Sequence, residues 1–403
     1  MARVTVESLG KDIPEGIGRL SLQDNALGMP LPKPKRSLVV VRVHAAAVNF
    51  PDLLMTCGGY QYKPKLPYTP GTEACGVIVA VGEGVQGLAP GDRVMVGLRE
   101  GCMQSVLVAP AAACTLLPLG LSSVEGAAFL VAYTTAYHCL VERAGARAGD
   151  AVLVNGATGG VGLAAVQIAK AVGCRHIIAT GSTAEKLAVV REYGATQCVD
   201  LTDPSTPASK LGEMLKAATG GRGVNIIYDP VGGEVFDASL RGAAWGARVL
   251  IVGFAGGVRS GTTMSHDSYL RRHASRARPR VSRPRFQQPV EAGTGQTATD
   301  FSSCACLVRP VIRANYALIK GLTVMGCRAG ESVRMDPSLQ APRMAQLVKW
   351  VAEGKLRPHV SHSFDVTLVR EAFLAVMHRK VTGKAVVTFG GDAEDSAQPQ
   401  SRL

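Results

Sequence analysis

The glycine-rich stretch AVLVNGATGGVGLAAVQIAKAV, residues 151–172, has the residue types of a phosphate-binding turn. It begins with an apolar run typical of a buried parallel strand, and after the turn its apolar residues recur at helical spacing. Glycine lets the backbone approach a ligand closely, and the N–H groups at a helix start attract a pyrophosphate. The pattern therefore predicts a dinucleotide site, with a purely structural turn as the alternative. The predicted contacts are Thr158, Gly159, Gly160 and Val161.

The next apolar run, residues 176–180, bears on which dinucleotide binds. A strand in this position usually ends in Asp or Glu when the cofactor is NAD, and an acid there would repel a 2′-phosphate. Here the run is followed by Gly181 and Ser182, with Lys186 one helical turn later. Hydroxyl groups and a cation suit a phosphate, so the sequence favours NADPH over NADH. The alternative is that Ser182 caps the next helix and Lys186 is a solvated surface charge.

Two kinds of segment must position these residues. Up to residue 127 the chain has short apolar runs between Gly and Pro turns, such as 38–43, 76–81 and 93–96, which predicts a small β-barrel. From 128 to 255 strand and helix patterns alternate, as in a doubly wound α/β sheet. The candidate strands are 152–155, 176–180, 196–200, 224–229 and 247–253, and the candidate helices include 183–193, 210–218 and 341–354.

Composition excludes several classes of function. The 403 residues are 47% hydrophobic and 19% charged, which is ordinary for a globular protein with two domains. The sequence shows neither an apolar run of membrane-spanning length nor a secretory signal. We therefore expect no membrane partner and a cytoplasmic protein, with a mitochondrial presequence left open. The ten cysteines are scattered without C-x-x-C pairs, which indicates reduced thiols.

The net charge of +13 is concentrated in one segment. Residues 259–313 hold ten arginines against three acids and show no periodicity, so we expect this insertion to lack a packed core. It is either a basic insertion that binds an acidic partner or an aberrant segment without selected function. The second interpretation is favoured because the surrounding pattern resumes cleanly. Nucleic acid is not an expected partner, because only 5% of the residues are aromatic.

The first 127 residues also carry specific motifs. Residues 47–76 read AVNFPDLLMTCGGYQYKPKLPYTPGTEACG and are followed by VGEGV and PGDRV. Together with the glycine-rich turn, these motifs resemble the quinone oxidoreductase family of zinc-independent medium-chain dehydrogenases/reductases, over residues 1–257 and 315–391. The resemblance implies a GroES-like β-barrel catalytic domain, a doubly wound Rossmann domain and a homodimer. The implied divisions are 1–127 (GroES-like), 128–258 (Rossmann, NADPH-binding), 259–313 (insertion), 314–335 (last Rossmann strand region), 336–390 (return segment to the catalytic domain) and 391–403 (polar tail).

The same resemblance bears on metal chemistry. Zinc-dependent relatives hold a catalytic zinc through a Cys at the position of Asn49 and a His next to the position of Glu73. This chain has Asn49 and the sequence Gly71-Thr72-Glu73, and it lacks the four-cysteine lobe that binds structural zinc. A zinc site needs three or four N, S or O ligands, so we expect no metal.

The resemblance also implies which side chains face the reaction. Asn49 and Tyr60 would be the catalytic hydrogen-bond donors, replacing zinc, and Asp52 would be a local cap. Thr135 would approach the nicotinamide from the start of the interdomain helix. The alternatives are a turn residue for Asn49, a packed aromatic for Tyr60 and a helix cap for Thr135. The remaining cofactor contacts would be Gly253, Phe254 and Asn315.

The expected function is hydride transfer from NADPH to a quinone or an α,β-unsaturated carbonyl compound. Hydride transfer needs the protein mainly to orient cofactor and substrate and to stabilise the developing oxyanion. Two alternatives stay open at this point. One is an enoyl-thioester (acryloyl-type) reductase, and the other is a cofactor-binding relative, of the crystallin or RNA-binding kind, with little or no turnover.

Overall fold

The computed structural model describes residues 1–24, 31–255 and 314–390, and the structural statements below refer to them. The strands are β1 (Ala2–Val6), β2 (Leu20–Asp24), β3 (Leu38–Val48), β4 (Glu73–Val81), β5 (Arg93–Gly97), β6 (Val106–Pro110), β7 (Cys114–Leu116), β8 (Ala151–Val154), β9 (His176–Gly181), β10 (Gln197–Asp200), β11 (Val224–Asp229), β12 (Ala243–Ile251), β13 (Thr323–Gly326), β14 (Val360–Asp365) and β15 (Lys384–Thr388). The helices are α1 (Ile13–Gly18), α2 (Phe50–Met55), α3 (Ser123–Ala127), α4 (Leu130–Tyr137), α5 (Gly160–Val172), α6 (Ala184–Glu192), α7 (Leu211–Ala218), α8 (Gly233–Arg241), α9 (Ala314–Lys320), α10 (Ala329–Met335), α11 (Gln340–Ala352) and α12 (Val369–Met377). The insertion 259–313 and the tail 391–403 lie outside the described residues.

The glycine-rich turn belongs to a six-stranded parallel sheet with the strand order β10-β9-β8-β11-β12-β13. All four residues of β8 are buried, as expected of a central parallel strand. Val152 and Val154 pack in one apolar core, and Ala151 and Leu153 pack in the core on the opposite face. The chain reverses its direction of winding between β8 and β11, so a ligand crevice lies at the carboxyl ends of these strands. The predicted doubly wound sheet is confirmed.

The second large sheet has seven strands in the order β14-β15-β3-β4-β5-β7, with β6 also paired to β3. β3 is eleven residues long, and along one side its first half pairs with β6 and its second half with β15. The last strand of the described chain therefore completes the sheet that the first hundred residues build. β1 and β2 form a separate antiparallel pair.

Two strands differ from their predicted bounds by four or more residues at one end. The apolar pattern predicts an end of β3 at residue 43, but the strand continues to Val48 because residues 45–48 pair with β15. β12 begins at Ala243 rather than at 247, because Ala243 pairs with Val224 before a shift of register. Pairing with a neighbouring strand outweighs the weak strand preference of alanine and glycine at these positions.

The two sheets share one apolar core. Ala45, Cys75 and Met95 of the seven-stranded sheet pack in the same cluster as Tyr133 of α4 and Leu163 of α5. This shared core fixes the position of the glycine-rich turn relative to the seven-stranded sheet. Within the described residues, no helix has the length and apolarity needed to cross a membrane.

Candidate active site

The helix after the glycine-rich turn begins at the ligand crevice. Gly159 is the residue before α5, with φ of −86°, and the N–H groups of the first turn of any α-helix lack acceptors within the helix. Residues 158–161 are half-buried, so a ligand can reach them. A Cβ atom on Gly162 would lie 2.3 Å from the carbonyl oxygen of Gly156. Glycine at 162 is therefore what allows the helix to approach its own turn.

A buried polar network holds the ends of three neighbouring strands beside this turn. Asn155 Nδ2 donates to Asp229 Oδ1 at 2.8 Å and to Ser239 Oγ at 2.9 Å, while Thr180 Oγ1 donates to Asn155 Oδ1 at 3.0 Å. Burial raises the pKa of Asp229 to about 6, and the hydrogen bond from Asn155 opposes that shift. The network fixes the carboxyl ends of β8, β9 and β11 at the floor of the crevice.

The C-terminal strand closes one side of the turn. Gly383, just before β15, donates its backbone N–H to Thr158 O at 2.8 Å. The next residue is Lys384, and a Cβ atom on Gly160 would lie 2.5 Å from Lys384 Cδ. The aliphatic part of Lys384 therefore runs directly over the start of α5.

The ammonium group of Lys384 ends in a buried polar cluster. Lys384 Nζ lies 2.8 Å from Glu73 Oε1 and also donates to Asn49 Oδ1. Asn49 Nδ2 donates to Glu73 Oε1 at 3.0 Å and to Thr72 Oγ1 at 3.2 Å. The second oxygen of Glu73 accepts the backbone N–H of Val131 at 2.8 Å. Both charges are thus hydrogen-bonded, which is the condition under which buried charges are tolerated.

Asn49 is therefore more than a turn residue after β3. Its side chain is only 7% exposed, and its oxygen and its amide group are both engaged within the cluster. These contacts hold Lys384 and Glu73 in one geometry. Its predicted contact with nicotinamide or substrate stays a prediction.

Asp52 acts as the local cap that the sequence indicates. Its Oδ2 accepts the backbone N–H of Asn49 at 2.8 Å, at the start of α2. Burial raises the pKa of Asp52 to about 7, while the N–H of Asn49 and the positive charge of Lys384 oppose the shift. A buried carboxyl group that changes its charge near neutral pH thus lies beside the cluster.

Tyr60 lies half-buried between this cluster and the surface. Burial raises the pKa of its hydroxyl, the positive charges of Arg328 and Arg99 lower it, and the negative charge of Asp52 raises it. Tyr60 is therefore electrostatically coupled both to the buried cluster and to arginines of both halves of the molecule. Its role as a donor stays a prediction.

Thr135 is not at the start of its helix, and the helix-cap alternative is wrong. α4 begins at Leu130 with Phe129 before it, so Thr135 is the sixth residue of an eight-residue helix. A capping hydroxyl must precede the first turn, where N–H groups lack acceptors. Thr135 is half-buried, and its proposed approach to the nicotinamide stays a prediction.

The alternative interpretation of the residues after β9, with Ser182 as a helix cap and Lys186 as a solvated charge, is also wrong. The residue that caps α6 is Thr183, whose Oγ1 accepts the backbone N–H of Lys186, and not Ser182. Lys186 is half-buried rather than solvated, and its Nζ donates to the carbonyl oxygens of Arg379 and Val381. Burial lowers the pKa of Lys186. This cation is therefore held between α6 and the chain that leads to β15.

The remaining predicted cofactor residues lie at the carboxyl edge of the six-stranded sheet. Gly253 and Phe254 follow β12 directly and are half-buried. Asn315 lies exposed in the first turn of α9, whose other end is fixed where Lys320 donates to Ala243 O at 2.8 Å. Because Ala243 begins β12, the Asn315 end of α9 points towards the same edge as Gly253. Contact with a cofactor stays a prediction for all three.

Sequence reasoning missed Lys384 as a site residue. It stands in the motif GKAVV, where an isolated lysine next to a strand is usually a solvated charge. The signal in the sequence is the apolar run that follows this lysine after a glycine. Such a run predicts a strand that is buried on both faces, as β15 is, and a lysine at the start of a buried strand needs a partner. Among the described residues, no group of three or more His, Cys, Asp or Glu side chains is arranged to hold a metal ion.

A six-stranded dinucleotide-type sheet joined to a β-rich unit, with the site between them, is the architecture of two-domain dehydrogenases. Residues 35–141 match the alcohol dehydrogenase GroES-like domain, and residues 160–287 match the zinc-binding dehydrogenase family. The chain is 33% identical over 353 residues to a quinone oxidoreductase-like protein 2 homolog of Nematostella vectensis, in an alignment that covers 87% of this chain and 81% of the relative.

Solved structures agree with these matches. The quinone oxidoreductase of Thermus thermophilus, also solved with NADPH, aligns with a TM-score of 0.69 at 27% identity, covering 96% of this chain and all of the other. A structure described as an NAD-dependent alcohol dehydrogenase aligns with a TM-score of 0.72 at 26% identity, covering 97% of this chain and all of the other. The chain belongs to the quinone oxidoreductase family of medium-chain dehydrogenases/reductases, and it is an oxidoreductase with a GroES-like and a Rossmann-type domain.

Proposed function

We propose that this protein is an NADPH-dependent oxidoreductase that transfers hydride to a quinone or an α,β-unsaturated carbonyl compound without zinc. The observation that carries the proposal is the start of α5, which lies half-buried at the switch point of the sheet with the aliphatic part of the buried cation Lys384 against it. A helix N-terminus and a fixed positive charge both favour a pyrophosphate.

The glycine-rich turn fits such a group sterically. Gly159 leaves its outer side open, since a Cβ atom there would meet nothing nearer than Gly156 O at 3.5 Å. We infer that residues 158–161 hold the pyrophosphate through backbone N–H groups, with Lys384 as the neighbouring cation. The nicotinamide supplies the hydride when the cofactor is bound. The chain itself orients the two reactants and excludes water from the buried cluster.

The preference for NADPH rests on the end of β9. Gly181 and Ser182 occupy the position where an acid would hold a ribose, and Lys186 lies one turn further on. An ammonium group has three donors, and the carbonyls of Arg379 and Val381 take two of them. We infer that the third donor and the charge serve the 2′-phosphate.

Asp200 is a carboxylate at this end of the sheet, and its charge opposes a 2′-phosphate. It ends β10 next to Gly181, and hydrogen bonds from Thr202 and from the backbone of Thr183 lower the pKa of Asp200. Its negative charge is partly satisfied by these donors. We therefore expect Lys186 to favour NADPH and Asp200 to limit the preference.

Zinc-free catalysis is supported by the donor set around Glu73. Asn49 and Lys384 occupy both sides of Glu73 Oε1, and neither an amide nor an ammonium group is a usual zinc ligand. In this arrangement, hydrogen-bond donors and a fixed cation stabilise negative charge on the substrate oxygen. Asn49, Tyr60 and Thr135 are the side chains proposed to orient nicotinamide and substrate.

A homodimer through the six-stranded sheet is also proposed. β13 is the edge strand of that sheet, and its apolar surroundings are exposed: Trp245 (79%), Leu318 (81%), Ile319 (66%) and Val324 (36%). An edge strand offers a row of backbone donors and acceptors to a second strand. A second copy of the chain would satisfy both the backbone groups and the apolar surface.

Fluorescence titration of NADPH against NADH, followed by NADPH oxidation with a panel of quinones and enones, tests the proposal. Lys186→Met should weaken NADPH binding by about ten- to a hundredfold, the value of one charge-assisted hydrogen bond, and leave NADH binding unchanged. Asp200→Asn should strengthen NADPH binding. Lys216→Met, at an exposed lysine of α7, is the matched control. Absence of NADPH binding, or binding without oxidation by any panel member, would overturn the proposed reductase.

A further inference from the structure

Three arginines surround one carboxylate at the surface next to Tyr60. Glu331 on α10 lies 3.7 Å from Arg99 Nη2 and 3.8 Å from Arg328 Nη2. Arg334 Nε donates to Glu331 Oε1 at 2.9 Å. One negative charge therefore faces three positive ones, and the cluster keeps a net positive charge.

The cluster is built from both halves of the molecule. Arg99 follows β5 of the seven-stranded sheet, whereas Arg328 follows β13 of the six-stranded sheet. Cys327, immediately before Arg328, donates its N–H to Ile251 O at 2.9 Å, at the carboxyl end of β12. Arg328 therefore lies at the carboxyl edge, where the active site is proposed.

Arg99 and Arg328 are positioned to accept a further anion. Their side chains are 56% and 59% exposed, and their distances to Glu331 exceed those of hydrogen bonds. Arg334, by contrast, is directly hydrogen-bonded to Glu331. A guanidinium group offers five N–H donors in a plane that matches a carboxylate or a phosphate.

Neighbouring side chains orient the cluster towards the reaction site. Arg99 Cζ lies 5.0 Å from the centre of the Tyr62 ring. Glu100 is the second carboxyl group here, and burial raises its pKa. The charges of Arg99 and Arg328 both act on Tyr60, on which the buried Asp52 also acts. Tyr60 therefore lies within electrostatic range of both the arginines and Asp52.

We propose that Arg99 and Arg328, supported by Arg334, bind an anionic group carried by the substrate. The substrate is then an α,β-unsaturated carbonyl compound or quinone that bears a carboxylate or phosphate away from its reacting carbon. This inference rests on the proposed reductase function and narrows its substrate class. Neutral quinones would lack the contact that the arginines offer.

Matched pairs of substrates test this inference with the full chain and NADPH. One pair is 6-oxo-4-heptenoate and its methyl ester, which differ in a carboxylate that two methylene groups separate from the reacting carbon. The other is crotonyl-4′-phosphopantetheine and crotonyl-pantetheine, which differ in one phosphate. The wild type should have a higher kcat/KM, chiefly through KM, for the charged member of at least one pair, and raised salt should reduce the difference. The pair that responds identifies the kind of anion.

Variants assign the effect to the cluster. Arg99→Gln and Arg328→Gln should each reduce the ratio of kcat/KM for the charged substrate to kcat/KM for the neutral one by about tenfold. The ratio cancels any effect of the lost charge on Tyr60. Glu331→Gln should act in the opposite direction. Arg36→Gln is the control, because Arg36 is remote from the cluster. Arg36 precedes β3, whose first residues pair with the last residues of β4, whereas Arg99 follows β5, whose last residue pairs with the first residue of β4. The exposure of these arginines means that the variants should fold.

The possible failures are distinguishable. If the neutral substrates are reduced but the charged ones are not preferred, or if Arg99→Gln and Arg328→Gln behave like Arg36→Gln, the anion site is wrong and the reductase stands. If no member of either pair and no quinone oxidises NADPH, the reductase proposal and the anion site both fall.

Discussion

The ammonium of Lys384 lies 2.8 Å from Oε1 of Glu73, although the two residues are 311 positions apart in the chain. The side chains are 7% and 0% exposed. The pair joins β15, the last strand of the described chain, to β4, and the aliphatic part of Lys384 lies against the start of α5. It thus connects the stability of the molecule to the geometry of the cofactor site.

Replacing one member of the pair Lys384–Glu73 should lower the free energy of unfolding, whereas replacing both charged groups should lower it much less. Lys384→Met leaves a carboxylate buried with too few donors, so we expect a loss of about 3–5 kcal/mol in the free energy of unfolding. The double variant Glu73→Gln/Lys384→Met should be more stable than Lys384→Met, because no unpaired charge stays buried. Its affinity for NADPH should stay as low as that of Lys384→Met, because the cation is absent from both. Urea unfolding and cofactor titration measure the two quantities.

An exposed ion pair gives the control. Lys355 Nζ lies 2.7 Å from Glu353 Oε2, with side chains 48% and 34% exposed. Lys355→Met should therefore cost less than about 1 kcal/mol. If the double variant is destabilised by the sum of its single losses, Lys384 and Glu73 are not coupled as the distance indicates.

Two glycines of the same turn should fail in different ways when replaced by alanine. A Cβ atom on Gly162 would lie 2.3 Å from Gly156 O, so Gly162→Ala should destabilise the fold by about 1–3 kcal/mol. On Gly159 the nearest atom would be 3.5 Å away at a φ of −86°, so Gly159→Ala should leave stability within about 0.5 kcal/mol.

Cofactor binding separates the same two variants. The methyl group of Gly159→Ala would project where the pyrophosphate is proposed, and NADPH affinity should fall by about tenfold or more. Thermal unfolding with and without NADPH checks both effects, since a ligand that binds the folded state raises Tm. Unchanged NADPH affinity in Gly159→Ala would remove the turn as the phosphate site.

The fold was predictable wherever its signal is local. The apolar run of β8, the glycines after it and the helical spacing of α5 lie within about twenty residues of each other, and each supports the same structure. The same is true of β9, β10 and β11, whose observed bounds are within two residues of the predicted ones. These strands are short, buried and separated by turns.

The candidate site was less predictable because its contacts are distant in sequence. Lys186 is held by carbonyl oxygens nearly two hundred positions away, and the cluster around Glu73 unites α2, β4 and β15. A single sequence gives no signal for contacts between residues so far apart in the chain. The cap of α6 was also misassigned, because Ser182 and Thr183 are chemically equivalent cap candidates and only backbone geometry selects Thr183.

The stability of the protein should decrease as pH rises through neutrality, in part because of Asp52. Burial raises the pKa of Asp52 to about 7 from a usual value of 3.8. Between these values the folded state binds a proton that the unfolded state does not, so the stabilisation is present at low pH and is lost as pH rises through 7. Asp52→Asn keeps an acceptor for Asn49 N–H and should flatten this part of the pH profile.

Urea unfolding at pH 5, 6, 7 and 8 measures the slope for the wild type and for Asp52→Asn. Asp203→Asn is the control, because the hydroxyl and backbone of Ser205 lower the pKa of Asp203. This carboxyl group is then ionised in both the folded and the unfolded state between pH 5 and 8, so its replacement should leave the slope of the wild type unchanged. Equal slopes for Asp52→Asn and the wild type would show that Asp52 is ionised throughout.

Substitution in the edge strand β13 should abolish the proposed dimer. Val324 is 36% exposed on this strand, and Val324→Lys would place a charge where two edge strands would meet. Sedimentation should give a dimer for the wild type and a monomer for Val324→Lys.

Trp245, 79% exposed in the described chain, reports independently, since burial in a dimer shifts its emission to shorter wavelength. Trp350→Phe removes the second of the two tryptophans, which lies half-buried against Tyr137. A wild type that sediments as a monomer, with Trp245 emitting as a solvated indole at all concentrations, would rule out the second copy as the partner of this edge.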